Sequence, residues 1–97
     1  MLNGGMIASF ADEETAKIFR AEGSRRFPPD IQRTARRKLL QLHAVTRLTD
    51  LAVPPGNRLE ALHGGRKGQH SIRVNDQWRI CFRWEAGAHA VEIVDYH

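Results

Sequence analysis

Ninety-seven residues, 41% of them apolar and 27% charged, amount to one domain of ordinary globular composition. That balance excludes a disordered tail, a collagen-like fibre and a coiled-coil rod, and a lone cysteine, Cys81, excludes an intramolecular disulfide framework. No apolar run approaches the ~18 residues of a membrane span and no secretion signal opens the chain, so a cytoplasmic protein with no membrane partner is expected. Fifteen Lys/Arg against eleven Asp/Glu leave a net charge of +4. Arginine supplies most of the basic count, and its planar fork suits phosphate, so a nucleic-acid or phosphate partner is one reading. An ordinary solubilising surface with a chance excess of cations is the other.

In chain order, residues 1–5 read as a flexible leader and 6–97 as a single domain. Met6 to Phe10 is a short strand candidate. Asp12, Glu13 and Glu14 place anions where a first helical turn favours them, and the helix is expected to run through Ala16, Phe19 and Arg20 to a stop at Gly23. After Phe27-Pro28-Pro29 comes the clearest helix, with Asp30 as N-cap and Ile31, Ala35, Leu39, Leu42 and Val45 at helical spacing. Arg33, Arg36 and Arg37 fall away from that stripe. Leu48 to Leu51 forms a last short turn before Pro54-Pro55-Gly56 breaks the chain.

From residue 58 the apolar period becomes alternating. Strands are predicted over Arg58–Leu62, Gln69–Val74, Trp78–Trp84 and Ala90–Val94, with turns at Asn75-Asp76 and around Gly87. Connections this short join antiparallel neighbours. The fold class is α+β, with two N-terminal helices covering one face of a mainly antiparallel sheet.

Strand parity sorts the side chains by chemistry. Trp78, Ile80, Phe82 and Trp84 share one face, and Arg79, Cys81 and Arg83 the other. Ser71 and Arg73 fall on the arginine side of their strand. Arg73, Arg79 and Arg83 are therefore expected to gather on the face away from the helices, either awaiting an anion or neutralised by Glu60, Asp76 and Glu92. His63-Gly64-Gly65-Arg66-Lys67-Gly68-Gln69-His70 is a glycine-rich basic loop against which a phosphate backbone can lie. It does not open a helix and lacks the Walker ending. The chain finishes Val94-Asp95-Tyr96-His97, where an acid, a phenol and an imidazole follow one another, either as proton-transfer groups or as a frayed polar end. The histidines and Cys81 show no metal-ligand spacing, so no metal and no cofactor is expected. His43 reads as packed or solvated, and the two tryptophans as core.

GNRLEALHGGRKGQHSIRVNDQWRICFRW and the terminal VEIVDYH resemble the HigB-like toxins of the RelE/ParE superfamily, and MIASF matches their usual opening. The resemblance spans about residues 6–97, and SIRVNDQWRICF and DYH are its most specific parts. It implies a RelE-like, microbial-RNase-type fold and a bacterial type II toxin that cuts mRNA in the ribosomal A site without metal. By motif, the catalytic set falls on His63, Asp95, Tyr96 and His97. Arg66, Lys67, Arg73 and Arg79 are the expected contacts to RNA or ribosome. The implied partners are the ribosome with its mRNA and a small helix-turn-helix, HigA-like antitoxin, with operator DNA bound through that antitoxin. A non-catalytic, gyrase-type poison and an antitoxin-dependent corepressor are the rival readings; His63 together with DYH favours the nuclease.

Overall fold

Asp12 starts α1 (Glu13–Phe19) by accepting the Thr15 amide at 2.7 Å, with Glu13 and Glu14 in the first turn against the positive end of the helix. In this computed structural model, which describes residues 6–96, the helix ends four residues before Gly23. The reason is local. Ala21 takes the left-handed conformation (φ 62°), and the amides of Ala21 and Glu22 bond back to the Ile18 and Lys17 carbonyls at 3.1 and 2.9 Å. This is a Schellman ending with alanine where glycine is usual. The expected leader 1–5 and His97 lie outside the described residues.

The second helix, α2 (Pro29–Ala44), starts two residues earlier than expected and without a side-chain cap. Pro29 occupies the first helical position, where its fixed φ is already helical and its missing N–H loses nothing, so Asp30 sits in the first turn rather than capping it. Ile31, Ala35, Leu39 and Leu42 are buried as the stripe requires. Single turns of 3₁₀ helix follow at Leu48–Ala52 and Pro55–Asn57, the second after a cis Val53–Pro54 bond.

Four strands form an antiparallel meander in chain order: β1 (Glu60–Ala61), β2 (His70–Arg73), β3 (Trp78–Trp84) and β4 (Ala88–Asp95). β3 is as the alternation predicts. β1 is shorter than expected, because Arg58 is left-handed (φ 45°) and leaves the ladder. Met6 to Phe10 does not form a full strand; it makes two parallel bridges to β4, Ile7 to Ala88 and Phe10 to Val91. The β4 ladder is irregular between Cys81 and Arg83, where Ala90 takes φ 51° and donates its amide to Ser9 Oγ at 2.8 Å. Beyond these bridges the β4 edge is tied to α1 by the Ile93 amide, which donates to buried Thr15 Oγ1 at 3.1 Å. Ile72, Ile80, Phe82 and Val91, all without solvent exposure, meet Leu39, Leu42 and Leu51 to form the core on the helix side. Trp78 and Trp84 pack at its margin, and His43 accepts the Ile7 amide at 3.2 Å while meeting Phe19 edge-on.

The long crossing from α2 to β1 is pinned by one buried polar knot. Asn57, fully buried, accepts a hydrogen bond from the Lys38 ammonium and donates to Gln41 Oε1 (3.1 Å) and the Leu51 carbonyl (3.0 Å). Burial, and then repulsion from Arg37 and Arg73, holds the Lys38 pKa below its usual value of 10.5. Between the lowered folded pKa and that unfolded value the unfolded chain binds the extra proton, so this group adds stability as pH rises. Cys81, raised by burial, acts in the opposite sense above its ordinary range and cancels when two chains differing only at Lys38 are compared. Urea midpoints taken from neutral pH to about pH 10 should therefore rise for the native chain relative to Lys38→Met. A pH-independent gap between the two would show that the lysine carries no such penalty.

Candidate functional site

The sheet face turned away from the helices is built by period-two alternation from Ser71 and Arg73 on β2, Arg79, Cys81 and Arg83 on β3, and Glu92 and Val94 on β4. Arg73 stands directly opposite Arg79 in the register. The expectation of an open arginine cluster is corrected in part, because two of its three members are engaged within the chain. Arg73 pairs with Asp76 across the β2–β3 turn. Arg79 is only 9% exposed: Nε donates to Ser71 Oγ at 2.7 Å and Nη2 to the Arg58 carbonyl at 2.6 Å, with Glu60 at 3.9 Å. The left-handed turn at Arg58 that ends the ladder also presents its carbonyl to Arg79. Arg83 is exposed and in no ion pair among the described residues.

Over this anchored guanidinium lies Tyr96, whose ring centre is 5.9 Å from Arg79 Cζ. Its amide donates to the Gln77 carbonyl at 2.7 Å, so the backbone after β4 is held against the start of β3, while the ring is 38% exposed. Asp95 points the other way. It is paired with Trp78, whose side chain is on the helix side, and it accepts from Gln77 Nε2 at 3.0 Å. With Arg26, Phe27 and Trp78 it borders a shallow cavity of about 270 Å³. Adjacent in sequence, Asp95 and Tyr96 therefore serve opposite faces of the sheet.

The glycine-rich loop is ordered around a turn of 3₁₀ helix, Gly64–Arg66, which accounts for two of its glycines: Gly64 (φ 61°) and Gly68 (φ 95°) bracket the turn in conformations other residues rarely adopt. Arg66 donates to Gln69 Oε1 at 3.0 Å and pairs with Glu92 of β4 at 3.3 Å, which draws the loop across the open face. Leu62, 4% exposed and outside the main core cluster, shares the register side of Ser71 and buried Cys81. Lys67 is exposed and unpaired among the described residues. His63 is exposed too. It leaves β1 at the end of the sheet where β3 reaches Arg83, whereas Tyr96 leaves at the end where β3 begins. No hydrogen bond or ring contact joins His63 to Tyr96 among the described residues. Ser71 and the Arg58 carbonyl, which hold Arg79, were not singled out by residue type. For Ser71 the available signal was parity, since it alternates with Arg73 on the arginine side. Among the described residues no group of three or more His, Cys, Asp or Glu is placed to hold a metal ion.

This arrangement presents a cation-backed phenol at one end of the face and a basic loop drawn across it, a surface suited to a polyanion. Residues 8–97 match the family of HigB-like toxins, described as RelE-like toxins of type II toxin–antitoxin systems. The chain is 38% identical over 93 residues to Toxin HigB-1 of Vibrio cholerae serotype O1, covering 95% of this chain and 98% of that one. It is also 35% identical over 60 residues to an uncharacterised protein of Haemophilus influenzae, covering 62% of this chain and 59% of that protein.

Proposed function

Given that this chain belongs to the HigB-like family, the RelE-like toxins of type II toxin–antitoxin systems, we propose that it is an endoribonuclease that cuts mRNA in the ribosomal A site without a metal ion. The observation that carries this reading is Tyr96, held at the end of β4 over a guanidinium that is itself fixed by two hydrogen bonds. Metal-free cleavage needs three things: a 2′-hydroxyl deprotonated for attack on phosphorus, charge stabilised on the phosphorane, and a proton for the departing 5′-oxygen. Proton transfer is proposed for His97, next to Tyr96 in sequence, or for His63, which leaves β1 at the other end of the sheet. Tyr96 positions the scissile phosphate, and Arg79 beneath it offsets charge there. Asp95 takes the orienting role, and its bond from Gln77 Nε2 fixes the strand end just before Tyr96. Arg66, Lys67 and Arg73 flank this surface for RNA or ribosome phosphates. The partners in this reading are the ribosome with its mRNA and a helix-turn-helix antitoxin, with operator DNA bound through the antitoxin.

The test is primer extension on ribosome-bound mRNA, using chain treated with chelator and then desalted so that the ribosome keeps its magnesium. New 5′ ends are expected without any added metal. A chain that arrests growth yet leaves mRNA intact would instead be a binding-only poison, and a requirement for added zinc or manganese would refute the proton-transfer mechanism.

The basic rim is separable from the chemistry. Arg66–Glu92 and Arg73–Asp76 are partly exposed pairs of the kind that contribute about 0.2–1 kcal/mol, so replacing Arg66, Lys67 and Arg73 together by alanine should leave the fold nearly as stable. Ribosome affinity should fall and become less dependent on salt, since fewer counterions are released on binding. Unchanged affinity across a salt series would remove these residues from the interface.

A further inference from the structure

A second surface, on the helix layer and away from the Tyr96 face, is unused by the proposed cleavage reaction. Between the end of α1 and the outer side of α2 runs a groove of about 380 Å³. Its floor is apolar, formed by Ile18, Ala21 and Leu40, and Leu40 is 40% exposed, one of the few large apolar side chains left to solvent among the described residues. Its wall is Arg33, Arg36 and Arg37, none of them in an ion pair among the described residues. The neighbouring carboxylates Glu13 and Glu22 are already taken by Arg20, both at 2.7 Å. Arg36 is held against the groove by its bond from Nε to the Phe19 carbonyl at 3.1 Å, which leaves the two terminal nitrogens for a ligand.

We propose that this groove docks an acidic, amphipathic segment of the antitoxin, with apolar side chains on Leu40 and Ala21 and carboxylates on the three arginines. The partner class follows from membership of a two-component toxin family and does not depend on the cleavage reading. Charge decides against another cation-rich surface, and the apolar floor decides against RNA, whose sugar–phosphate backbone gains nothing from an exposed leucine. Because α1 and α2 cover the opposite face of the sheet from Tyr96, an antitoxin anchored here holds the toxin without touching Tyr96. Leu40, Arg33 and Arg37 are exposed, so substitutions there leave the core intact.

The experiment titrates the cognate antitoxin against the full-length toxin by calorimetry, with circular dichroism confirming each fold. Leu40→Asp and the double change Arg33→Glu/Arg37→Glu are each expected to weaken the complex at least about tenfold, the double change more at low salt than at high salt. Ribosome association of the same variants is expected to be unchanged, which separates this surface from the cleavage face. Undiminished antitoxin affinity in both variants overturns the proposal. Lost ribosome binding with full antitoxin affinity overturns it equally and makes the groove an RNA surface. A native chain that binds antitoxin through this groove but cuts no mRNA would leave this inference standing while the cleavage reading fails.

Discussion

Replacing His97 by alanine, or ending the chain at Val94, is expected to slow single-turnover mRNA cleavage by about 10²–10⁴-fold, the usual contribution of a positioned proton donor or acceptor. Ribosome affinity should change little in either variant, because binding is assigned to Arg66, Lys67 and Arg73 rather than to the chain end. The fold should persist as well. Asp95 and Tyr96 are exposed, and β4 is anchored upstream by the Ile93 amide on Thr15 Oγ1 and by the bridges from Ile7 and Phe10. The truncation does remove the Tyr96 amide bond to the Gln77 carbonyl and the Gln77–Asp95 contact, so a loss of about 1 kcal/mol is expected from each exposed bond at most. Binding and cleavage must be measured separately. Retained binding with lost cutting supports the nuclease, whereas full cutting by both variants would make the chain end structural and favour a poison that acts by binding alone.

Arg79→Met should do two things that no surface arginine substitution does. It leaves Ser71 Oγ and the Arg58 carbonyl without their partner in a largely buried position, at a cost of about 1–3 kcal/mol in unfolding free energy. It also removes the cation under Tyr96, and cleavage should fall by about 10²–10³-fold, the range seen when one charge-stabilising donor is lost from a reaction centre. Arg79→Lys keeps the charge but cannot span Ser71 and Arg58 at once, so it should recover part of the activity and little of the stability. Urea denaturation and single-turnover cleavage report the two effects independently. If Arg79→Met cut mRNA at the native rate while losing stability, Arg79 would be a brace for β1 and nothing more.

Period and composition alone were enough to read the α+β class, the stripe of α2, the whole of β3 and the division of β3 into an apolar and an arginine side. Each of these is a local repeat, legible because burial on one face selects side chains at fixed spacing. The block SIRVNDQWRICF and the motif DYH also carried the family resemblance, which the matching family and relative bear out. Element ends were less legible. Ala21 ends α1 in a conformation glycine usually supplies, and Arg58 shortens β1 in the same way; alanine and arginine give no sign of a left-handed backbone that only the surrounding hydrogen bonds stabilise. The face of the site was decided by tertiary structure. Parity put Arg73, Arg79 and Arg83 on one side, but their partners are distant or turn-bound groups: Asp76 for Arg73, and Ser71 with the Arg58 carbonyl for Arg79. The register of β4 against β3 turns Asp95 toward Trp78 and Tyr96 toward Arg79, so two neighbours in a three-residue motif lie on opposite faces. A strand's alternation is written in its sequence, but which face each neighbour serves depends on the strand it pairs with.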